Sequence, residues 1–384
     1  MIEQILTRKN LLQAMWKVQK NHGSAGVDHM PVIRLSELLS IDKDELTARI
    51  RSGKYLPQPI LGLEIGFAEL AGSVPKGKGT RLLGIPTVTD RLLQQAVLQV
   101  IAACFEFEFS DSSYGFRPGR NVQQAVLKAQ GYINEGFPYI VDIDLKTFFD
   151  EVDHRYLLQL LYRKIKSRET RRLIRKWLRS PIQINGKLVK RRKGVPQGSP
   201  LSPLLSNIML NDLDRELERR GLRFVRYADD FSTYLKTKAE ARRVGNDIYK
   251  FLKGKLKLPI NREKSGIRCP VQFTILGFGF VPTYVKGERG KYQLVVSDKS
   301  WNSLKQKLKT ITRKTTPMSF DERIEKINEV QQGWINAFRM ASIQIKLAEL
   351  YGWLRNRLRY CIWHHWKQPE RKRKNLIRLG VESR

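Results

Sequence analysis

Two adjacent aspartates, Asp229 and Asp230, lie between two short apolar segments, and this pattern restricts the fold more than any other in the chain. The flanking segments, 222–227 and 231–235, have the composition of buried strands, which predicts a hairpin with the acids at its turn. Asp is common in polar hairpin turns, so an ordinary turn is one interpretation. Between buried strands, however, two neighbouring carboxylates repel each other unless cations neutralise them. The pair therefore favours a cation site.

A further acid comes from a second predicted buried strand, 139–145, which contains Asp142 and Asp144. Side chains two residues apart in a strand share one face, so the spacing does not choose between these two acids. Three carboxylates from different strands would form a hard, oxygen-rich site suited to Mg²⁺. With two such ions, one activates an attacking 3′-hydroxyl and the other stabilises a leaving pyrophosphate, which is in-line phosphoryl transfer.

Hydrophobic periodicity predicts a mixed α+β part followed by a purely helical part. Helices of the first part are predicted at 7–20, 91–104 with Thr89-Asp90 as its cap, 121–133, 200–220 and 238–256. Further strands are predicted at 182–189, as a hairpin with an Asn-Gly turn, and near 273–281 and 291–296. Beyond Ser297 the apolar spacing is helical throughout, which places a domain boundary near 290–297.

The charge of the chain indicates a polyanionic partner. It has 71 Lys and Arg against 37 Asp and Glu, a formal net charge of +34 over 384 residues. Residues 161–193 hold 14 cations and one acid, and residues 341–384 hold 11 cations and three acids. A single basic segment is as readily a solvated helix face. Two of them, both interleaved with aromatic residues, favour a surface that binds nucleic-acid phosphates.

Other classes of protein are excluded by what the sequence lacks. No run of 18 apolar residues occurs, so no membrane span is expected, and the N-terminus has no signal-peptide core. The three cysteines are far apart and offer neither a disulfide framework nor a CxxC zinc site. A reducing, cytoplasmic setting is therefore expected.

Several short motifs occur along the chain in an order that is specific for one class of enzyme. The segments VDIDLKTFFD at 141–150, VPQGSPLSP at 195–203 and YADD at 227–230 occur in the order seen in reverse transcriptases. Five further motifs narrow the resemblance to one family: GVD at 26–28, LGIP at 83–86, SYGFRPGR at 113–120, RYADD at 226–230 and NREKS at 261–265. From near residue 7 to the C-terminus, the chain resembles the bacterial group II intron reverse transcriptases/maturases.

The resemblance implies a fold and a domain organisation. It implies an α+β right-hand polymerase, with fingers and palm containing antiparallel sheet over 1–290 and a motif core over about 57–281. A helical thumb or maturase domain is implied over 297–384. The printed chain ends directly after this region, so the DNA-binding and HNH-type endonuclease segments of some members are not expected.

The resemblance also assigns the acids. Asp144 matches the first metal-binding acid through its spacing to Phe148 and Phe149, and Asp229 and Asp230 match the other two. Leu145 is implied as a further metal contact, and two Mg²⁺ ions, or Mn²⁺ in their place, are implied as cofactors. Lys264, also assigned a catalytic role, resembles the lysine that protonates the leaving pyrophosphate.

Nucleotide-binding positions follow in the same way. Phe149 matches an aromatic gate beneath the incoming sugar that excludes a 2′-hydroxyl by bulk, and a core Phe is the alternative. The other matching positions are Lys76 or Lys78, Arg81, Gln197 and Gly198. Many members have Gly-Gly after Pro-Gln, whereas this chain has Gly198-Ser199, so an added hydroxymethyl group must fit close to template or nucleotide.

The tail from Gln332 to Gly380 resembles the maturase or thumb region. Its Arg355 and Arg359 are four residues apart and share one helical face. The positions predicted to bind nucleic acid are Arg117, Arg120, Arg355, Arg357, Arg359, Trp363 and Lys367.

The leading hypothesis is an RNA-directed DNA polymerase that extends a primer with dNTPs on an RNA template and holds the RNA/DNA duplex. It is also expected to bind its group II intron RNA and assist splicing. One alternative is a protein that acts mainly as an RNA-binding maturase or chaperone. Another is a polymerase recruited to phage defence or a CRISPR system.

Overall fold

The computed structural model describes residues 1–66, 80–284 and 290–380. By contacts the chain forms two compact units, a first that ends at Cys269 and a second that runs from Pro270. The sequence predicts the boundary between the two units later in the chain, near 290–297. The short sheet that precedes residue 297 therefore belongs to the second unit, not to the first. None of the helices in the described ranges is both long and apolar enough to cross a membrane.

The helices of the first unit include the five that the sequence predicts, near 7–20, 91–104, 121–133, 200–220 and 238–256, and six that it does not. They are α1 (Ile2–Ile5), α2 (Arg8–Lys20), α3 (Leu35–Ile41), α4 (Lys43–Arg51), α5 (Val88–Glu106), α6 (Val122–Asn134), α7 (Phe148–Glu151), α8 (His154–Lys164), α9 (Arg168–Arg179), α10 (Ser202–Arg219) and α11 (Lys238–Phe251). A π-helical turn over Leu252–Leu256 continues α11. The apolar faces of these helices other than α6 form one buried cluster with residues of the central sheet.

Two four-stranded sheets complete the first unit. Their strands are β1 (Ile60–Gly66), β2 (Thr80–Ile85), β3 (Tyr139–Ile143), β4 (Ile182–Ile184), β5 (Lys187–Val189), β6 (Arg223–Tyr227), β7 (Asp230–Leu235) and β8 (Gly266–Arg268). The central sheet has the order β6-β7-β3-β8 with antiparallel neighbours, and α11 packs against its last three strands. The other sheet, β2-β1-β4-β5, joins the LGIP segment to the predicted Asn-Gly hairpin.

The second unit begins with a three-stranded antiparallel sheet and continues as helices. Its elements are β9 (Thr274–Ile275), β10 (Phe278–Pro282), β11 (Tyr292–Val296), α12 (Asp298–Ile311), α13 (Phe320–Phe338), α14 (Gln344–His365) and α15 (Pro369–Arg378). The predicted α+β fold class, with a helical C-terminal part, is confirmed.

The start of α5 differs from the prediction. The N-cap is Thr87, whose side chain accepts a hydrogen bond from the Asp90 amide, so the helix begins before Thr89. Asp90 lies in the first turn, where its buried carboxylate accepts from the Tyr55 hydroxyl and the Trp177 indole, both at 2.8 Å. The sequence alone did not locate the cap correctly, because the Asp90 side chain is used in these tertiary contacts and not in capping.

Candidate active site

The hairpin of β6 and β7 presents the adjacent acids at its turn, as predicted. Tyr227 pairs with Asp230, which leaves Ala228 and Asp229 as the two turn residues. Ala228 has a left-handed backbone with φ of +58°, the conformation that two-residue hairpin turns use. A left-handed alanine needs support from its surroundings.

That support comes from a buried ion pair. The guanidinium of Arg226 donates to the Ala228 carbonyl at 2.9 Å and, through Nε, to Asp214 Oδ1 at 2.7 Å. It also donates to Asn207 Oδ1 at 2.9 Å. The side chains of Arg226 and Asp214 are fully buried, and Asp214 and Asn207 belong to α10. Helix α10 therefore fixes the shape of the turn that carries Asp229.

The SYGFRPGR segment packs directly against the same turn. Ser112 and Tyr114 exchange backbone hydrogen bonds with Arg226, each at 2.9 Å. A Cβ atom on Gly115 would lie 2.3 Å from the Ala228 nitrogen, so only glycine fits there. Resemblance found this segment, but no local pattern in the sequence assigns it this supporting role.

Strand register brings a third acid to the hairpin. In the antiparallel pairing of β3 with β7, Ile143 lies opposite Phe231. Asp144 follows Ile143 directly at the end of β3. Its negative charge is close enough to Asp230 to raise the pKa of that acid.

Ion pairs separate the two candidate acids of β3. Asp142 is held by Arg268 of β8, whose Nε lies 2.7 Å from Asp142 Oδ2. Asp144 has a looser neighbour, the Lys264 ammonium, 3.9 Å from Asp144 Oδ2. The Lys264 side chain is 71% exposed, which leaves it accessible to a ligand. The structure thus distinguishes two positions that the spacing left equivalent.

The pKa of Asp230 is raised by its surroundings. Desolvation, and then the charges of Asp229, Asp144 and Asp142, raise its pKa to about 6, against a partial counter-effect from Lys264. Among the residues that the structure describes, no three His, Cys, Asp or Glu side chains meet closely enough to hold a metal ion as they stand. The donor set nevertheless fits a hard divalent cation, because it concentrates carboxylate oxygens whose mutual repulsion such an ion relieves.

A cavity of about 560 Å³ brings three predicted nucleotide-binding residues together. Phe149, Gln197 and Gly198 line it, with Arg91 and Phe116 also on its wall. Phe149 is half-buried and is in edge contact with Phe148. An aromatic side chain that is partly exposed at a cavity wall fits a gate better than a core residue.

The loop at 197–198 is built by close backbone approach. The Gly84 amide donates to the Gln197 carbonyl at 2.8 Å, which ties the loop to β2. Gly198 has φ of +123°, and a Cβ atom there would lie 2.6 Å from the Gly84 oxygen. Glycine at 198 is therefore required twice, for its conformation and for space.

Ser199 lies on the wall of the same cavity and is hydrogen-bonded within the protein. Its hydroxyl donates to Gln94 Oε1 of α5 at 2.7 Å and accepts from the Leu201 amide at 3.3 Å. Both the serine and the glutamine are buried. The added hydroxymethyl group is thus close to the predicted nucleotide contacts, and its hydroxyl is engaged by Gln94.

We expect Ser199→Gly to lower the free energy of unfolding by about 1–3 kcal/mol, because the buried Gln94 oxygen loses its donor. Urea denaturation measures this change. Ser40→Gly on the exposed side of α3 is the control for the intrinsic penalty of glycine, about 0.5–1 kcal/mol. Equal losses for the two variants would contradict a contribution from the Ser199–Gln94 bond.

The remaining predicted nucleotide contacts cannot be placed in the cavity. Lys76 and Lys78 lie outside the described residues, and Arg81 is described only as a backbone position in β2, opposite Ile65.

Arg117 was predicted to bind nucleic acid, and the structure corrects this. Its guanidinium is buried, donating to Glu106 Oε1 at 2.9 Å and to the Ser113 carbonyl at 2.8 Å. Its donors thus serve the fold. Arg120, in contrast, is partly exposed, where it pairs with Asp111.

In the tail, Arg357 was also predicted to bind nucleic acid, and the structure corrects this. Arg357 donates through Nε to Thr312 Oγ1 at 2.6 Å and through Nη2 to the Lys309 and Thr312 carbonyls at 3.2 Å. It therefore caps the end of α12 and is not a free phosphate contact. Sequence spacing alone could not reveal this role, because neighbouring arginines of α14 differ in their contacts. Arg355 and Arg359 are exposed, whereas Arg357 is hydrogen-bonded within the protein.

The other tail residues are on the surface of the second unit. Arg355, Arg359 and Lys367 are exposed, and Trp363 is 47% exposed with the Lys372 ammonium 4.6 Å from its ring centre. Cations beside an accessible indole can hold a phosphate backbone while the ring stacks on a base.

Comparison with known proteins agrees with this geometry. The family described as reverse transcriptase (RNA-dependent DNA polymerase) matches residues 74–280, and the group II intron maturase-specific domain matches residues 301–380. Protein YkfC of Escherichia coli is 30% identical over 65% of this chain and 73% of its own length. The group II intron-encoded protein LtrA of Lactococcus lactis is 34% identical over 56% of this chain but only 35% of its own length. The retron Mx162 reverse transcriptase of Myxococcus xanthus is 32% identical over 44% of this chain and 36% of its own.

Proposed function

Because the chain belongs to the reverse transcriptase (RNA-dependent DNA polymerase) family and contains a group II intron maturase-specific domain, we propose that it is an RNA-directed DNA polymerase of group II intron type. The observation that carries the proposal is the pairing of β3 with β7, because Asp144 directly follows β3 and Asp229 and Asp230 lie at the turn where β7 begins. Carboxylates from two strands and a turn form the donor set that phosphoryl transfer requires.

The family depends on divalent metal ions, and the residues that would hold them here are Asp144, Asp229 and Asp230, next to Leu145. Two Mg²⁺ ions, or Mn²⁺, would supply activation of the primer 3′-hydroxyl and neutralisation of charge on the leaving pyrophosphate. Within this arrangement, Arg226 keeps the Asp229 turn in its left-handed form through the Ala228 carbonyl. The turn that carries Asp229 is therefore held in one conformation.

Lys264 is our candidate for proton transfer. Its ammonium lies beside Asp144 and is mostly exposed, so it can reach a ligand bound at the acids. We propose that it protonates the leaving pyrophosphate, which is general acid catalysis. Phe149, Gln197 and Gly198 would hold the incoming dNTP in the cavity that they line.

The partners are nucleic acids. We propose an RNA template, the RNA/DNA duplex that forms on it, and the group II intron RNA. Arg120 in the first unit, and Arg355, Arg359, Trp363 and Lys367 in the second, are the exposed candidates for these contacts.

Primer extension tests the activity. The purified chain should add dNTPs to a DNA primer on an RNA template in the presence of Mg²⁺, and chelation with EDTA should stop it. Asp229→Ala is the inactive control. No incorporation by the parent protein, with its RNA affinity intact, would overturn the proposal.

The maturase-specific match and the basic tail favour a second role in RNA binding, separate from polymerisation. Assisted splicing of a cognate group II intron by the Asp229→Ala protein would support this role. Splicing that is lost together with polymerisation would contradict it.

We expect Phe149→Ala to reduce discrimination against ribonucleotides by about 100-fold, because a shortened side chain no longer fills the space of the 2′-hydroxyl. The measurement is the ratio of kcat/KM for a dNTP and the matching rNTP. Phe149→Tyr keeps the bulk of the ring and should keep the selectivity. An unchanged ratio in Phe149→Ala would instead place this ring in the core.

A further inference from the structure

A second cavity of the first unit is strongly basic. It has a volume of about 1290 Å³ and lies among α8, α9 and the segment after β5. Its wall contains seven Lys and Arg residues, and Asp153 is the acid among the lining residues. We call it the Arg191 cavity. It shares no lining residue with the cavity that holds Phe149, so the proposed nucleotide site does not account for it.

Most of the cations on this wall have no ion-pair partner among the residues that the structure describes. Among the described residues, the following form no ion pair: Arg155, Arg175, Arg179, Lys190 and Arg192. Lys257 has a distant partner, Asp153, at 3.8 Å. Like charges around a concave surface reinforce one another's field, which attracts an anion and raises its local concentration.

Arg191 lines the cavity and has an unsatisfied donor. Its Nη1 is buried and has no hydrogen-bond partner among the described residues. Leaving a buried donor unpaired costs free energy. Burial also lowers the pKa of Arg191, since its charge is separated from water. A guanidinium in such a place is suited to a phosphate, because its planar fork matches two phosphate oxygens.

Helices α8 and α9 hold much of the wall of the Arg191 cavity in place. Arg175 and Arg179 are one helical turn apart on α9 and both are exposed. His154, at the start of α8, makes a 2.7 Å hydrogen bond with the Gly194 carbonyl, which ties α8 to the segment that carries Arg191. The half-buried ring of Tyr162 supplies an aromatic surface on the same wall. Such a wall offers cations for a backbone and an aromatic face for a sugar or base.

We propose that the Arg191 cavity binds backbone phosphates of an RNA strand at a place separate from the polymerisation cavity. The cavity itself is built for phosphate, and the choice of RNA as the source of that phosphate rests on the proposed function. An RNA held here is anchored independently of the primer terminus, so a long or folded RNA gains affinity that a short primer–template does not.

The test compares two charge-matched double variants in the full chain. Arg175→Gln/Arg179→Gln removes two exposed cations from the cavity, and Lys166→Gln/Arg168→Gln removes two exposed cations that do not line it. Fluorescence anisotropy measures the affinity for a labelled RNA hairpin with a single-stranded tail over a range of KCl. The cavity variant should bind about tenfold more weakly, with a salt slope reduced by about one per lost cation, whereas the control stays near the parent.

Two further measurements sharpen the result. Arg191→Lys keeps the charge but loses the planar fork, and should weaken RNA binding while leaving kcat and KM for dNTP on a short RNA/DNA primer–template unchanged. Inorganic tripolyphosphate, titrated as competitor, distinguishes the source of the phosphate. If tripolyphosphate binds at the cavity while the RNA affinity of the cavity variant is unchanged, RNA as the occupant is overturned.

The proposal is also overturned if the cavity and control variants lose affinity equally, since a general charge effect would then explain both. Its failure is distinguishable from failure of the proposed function. A parent chain that binds RNA through the cavity but extends no primer contradicts the polymerase alone, and a polymerase that is unaffected in RNA affinity by the cavity variants contradicts the cavity alone.

Discussion

Asp144→Asn is expected to reduce dNTP incorporation at least about 1,000-fold, whereas Asp142→Asn keeps the rate within about tenfold of the parent. The Asp144 carboxylate, whose charge raises the pKa of Asp230, has only a loose ion-pair neighbour in Lys264 at 3.9 Å and stays available to a metal ion. The Asp142 carboxylate is already engaged by Arg268 at 2.7 Å, so its negative charge is largely compensated within the protein.

The comparison is demanding because the two substitutions are chemically identical and lie two residues apart on one strand. Single-nucleotide primer extension under single-turnover conditions measures the rate, and anisotropy with the same primer–template confirms that binding is retained. Equal losses would mean that Asp142 and Asp144 act as one group. A larger loss for Asp142→Asn would reverse the assignment of the metal-binding acid.

Asp214→Ala is expected to lower the free energy of unfolding by about 3–5 kcal/mol, because it leaves the guanidinium of Arg226 buried without its counter-charge. Both side chains of the pair are fully buried. Arg219→Ala, on the same helix, breaks an exposed pair with Glu216 and should change stability by less than about 1 kcal/mol.

Calorimetry of the full chain measures both variants through the transition that shifts, since a chain of two units need not unfold in one step. Polymerase activity should fall with Asp214→Ala even below its melting transition, because the Ala228 turn depends on Arg226. A stability loss no greater than that of Arg219→Ala would show that the buried pair is not needed for the fold.

Local patterns predicted those features that depend on neighbouring residues. The apolar segments on either side of Asp229 and Asp230 predicted their hairpin. The Asn-Gly pair predicted the turn of another hairpin, between β4 and β5, where Asn185 and Gly186 both have positive φ. These elements depend on strand periodicity and turn chemistry, which a short window of sequence contains.

Features that depend on distant partners were missed or left open. The difference between Asp142 and Asp144 arises from β7 and β8, which follow much later in the chain. Arg117 and Arg357 have the same charge as Arg355, but they are committed to hydrogen bonds within the protein. Spacing contains no information about burial by remote elements, so phosphate-binding and structural arginines could not be separated.

The support beneath the Asp229 turn has a consequence for the order of folding. Asn207 donates to the Gly115 carbonyl across 92 residues of chain, and both pack with Arg226 under the same turn. Contacts between such distant segments form late, because the entropy of closing the intervening loop must first be overcome. We therefore expect a nascent or partly unfolded chain to lack the arrangement of Asp144 with the adjacent Asp229 and Asp230, which forms only when the first unit has closed around the turn.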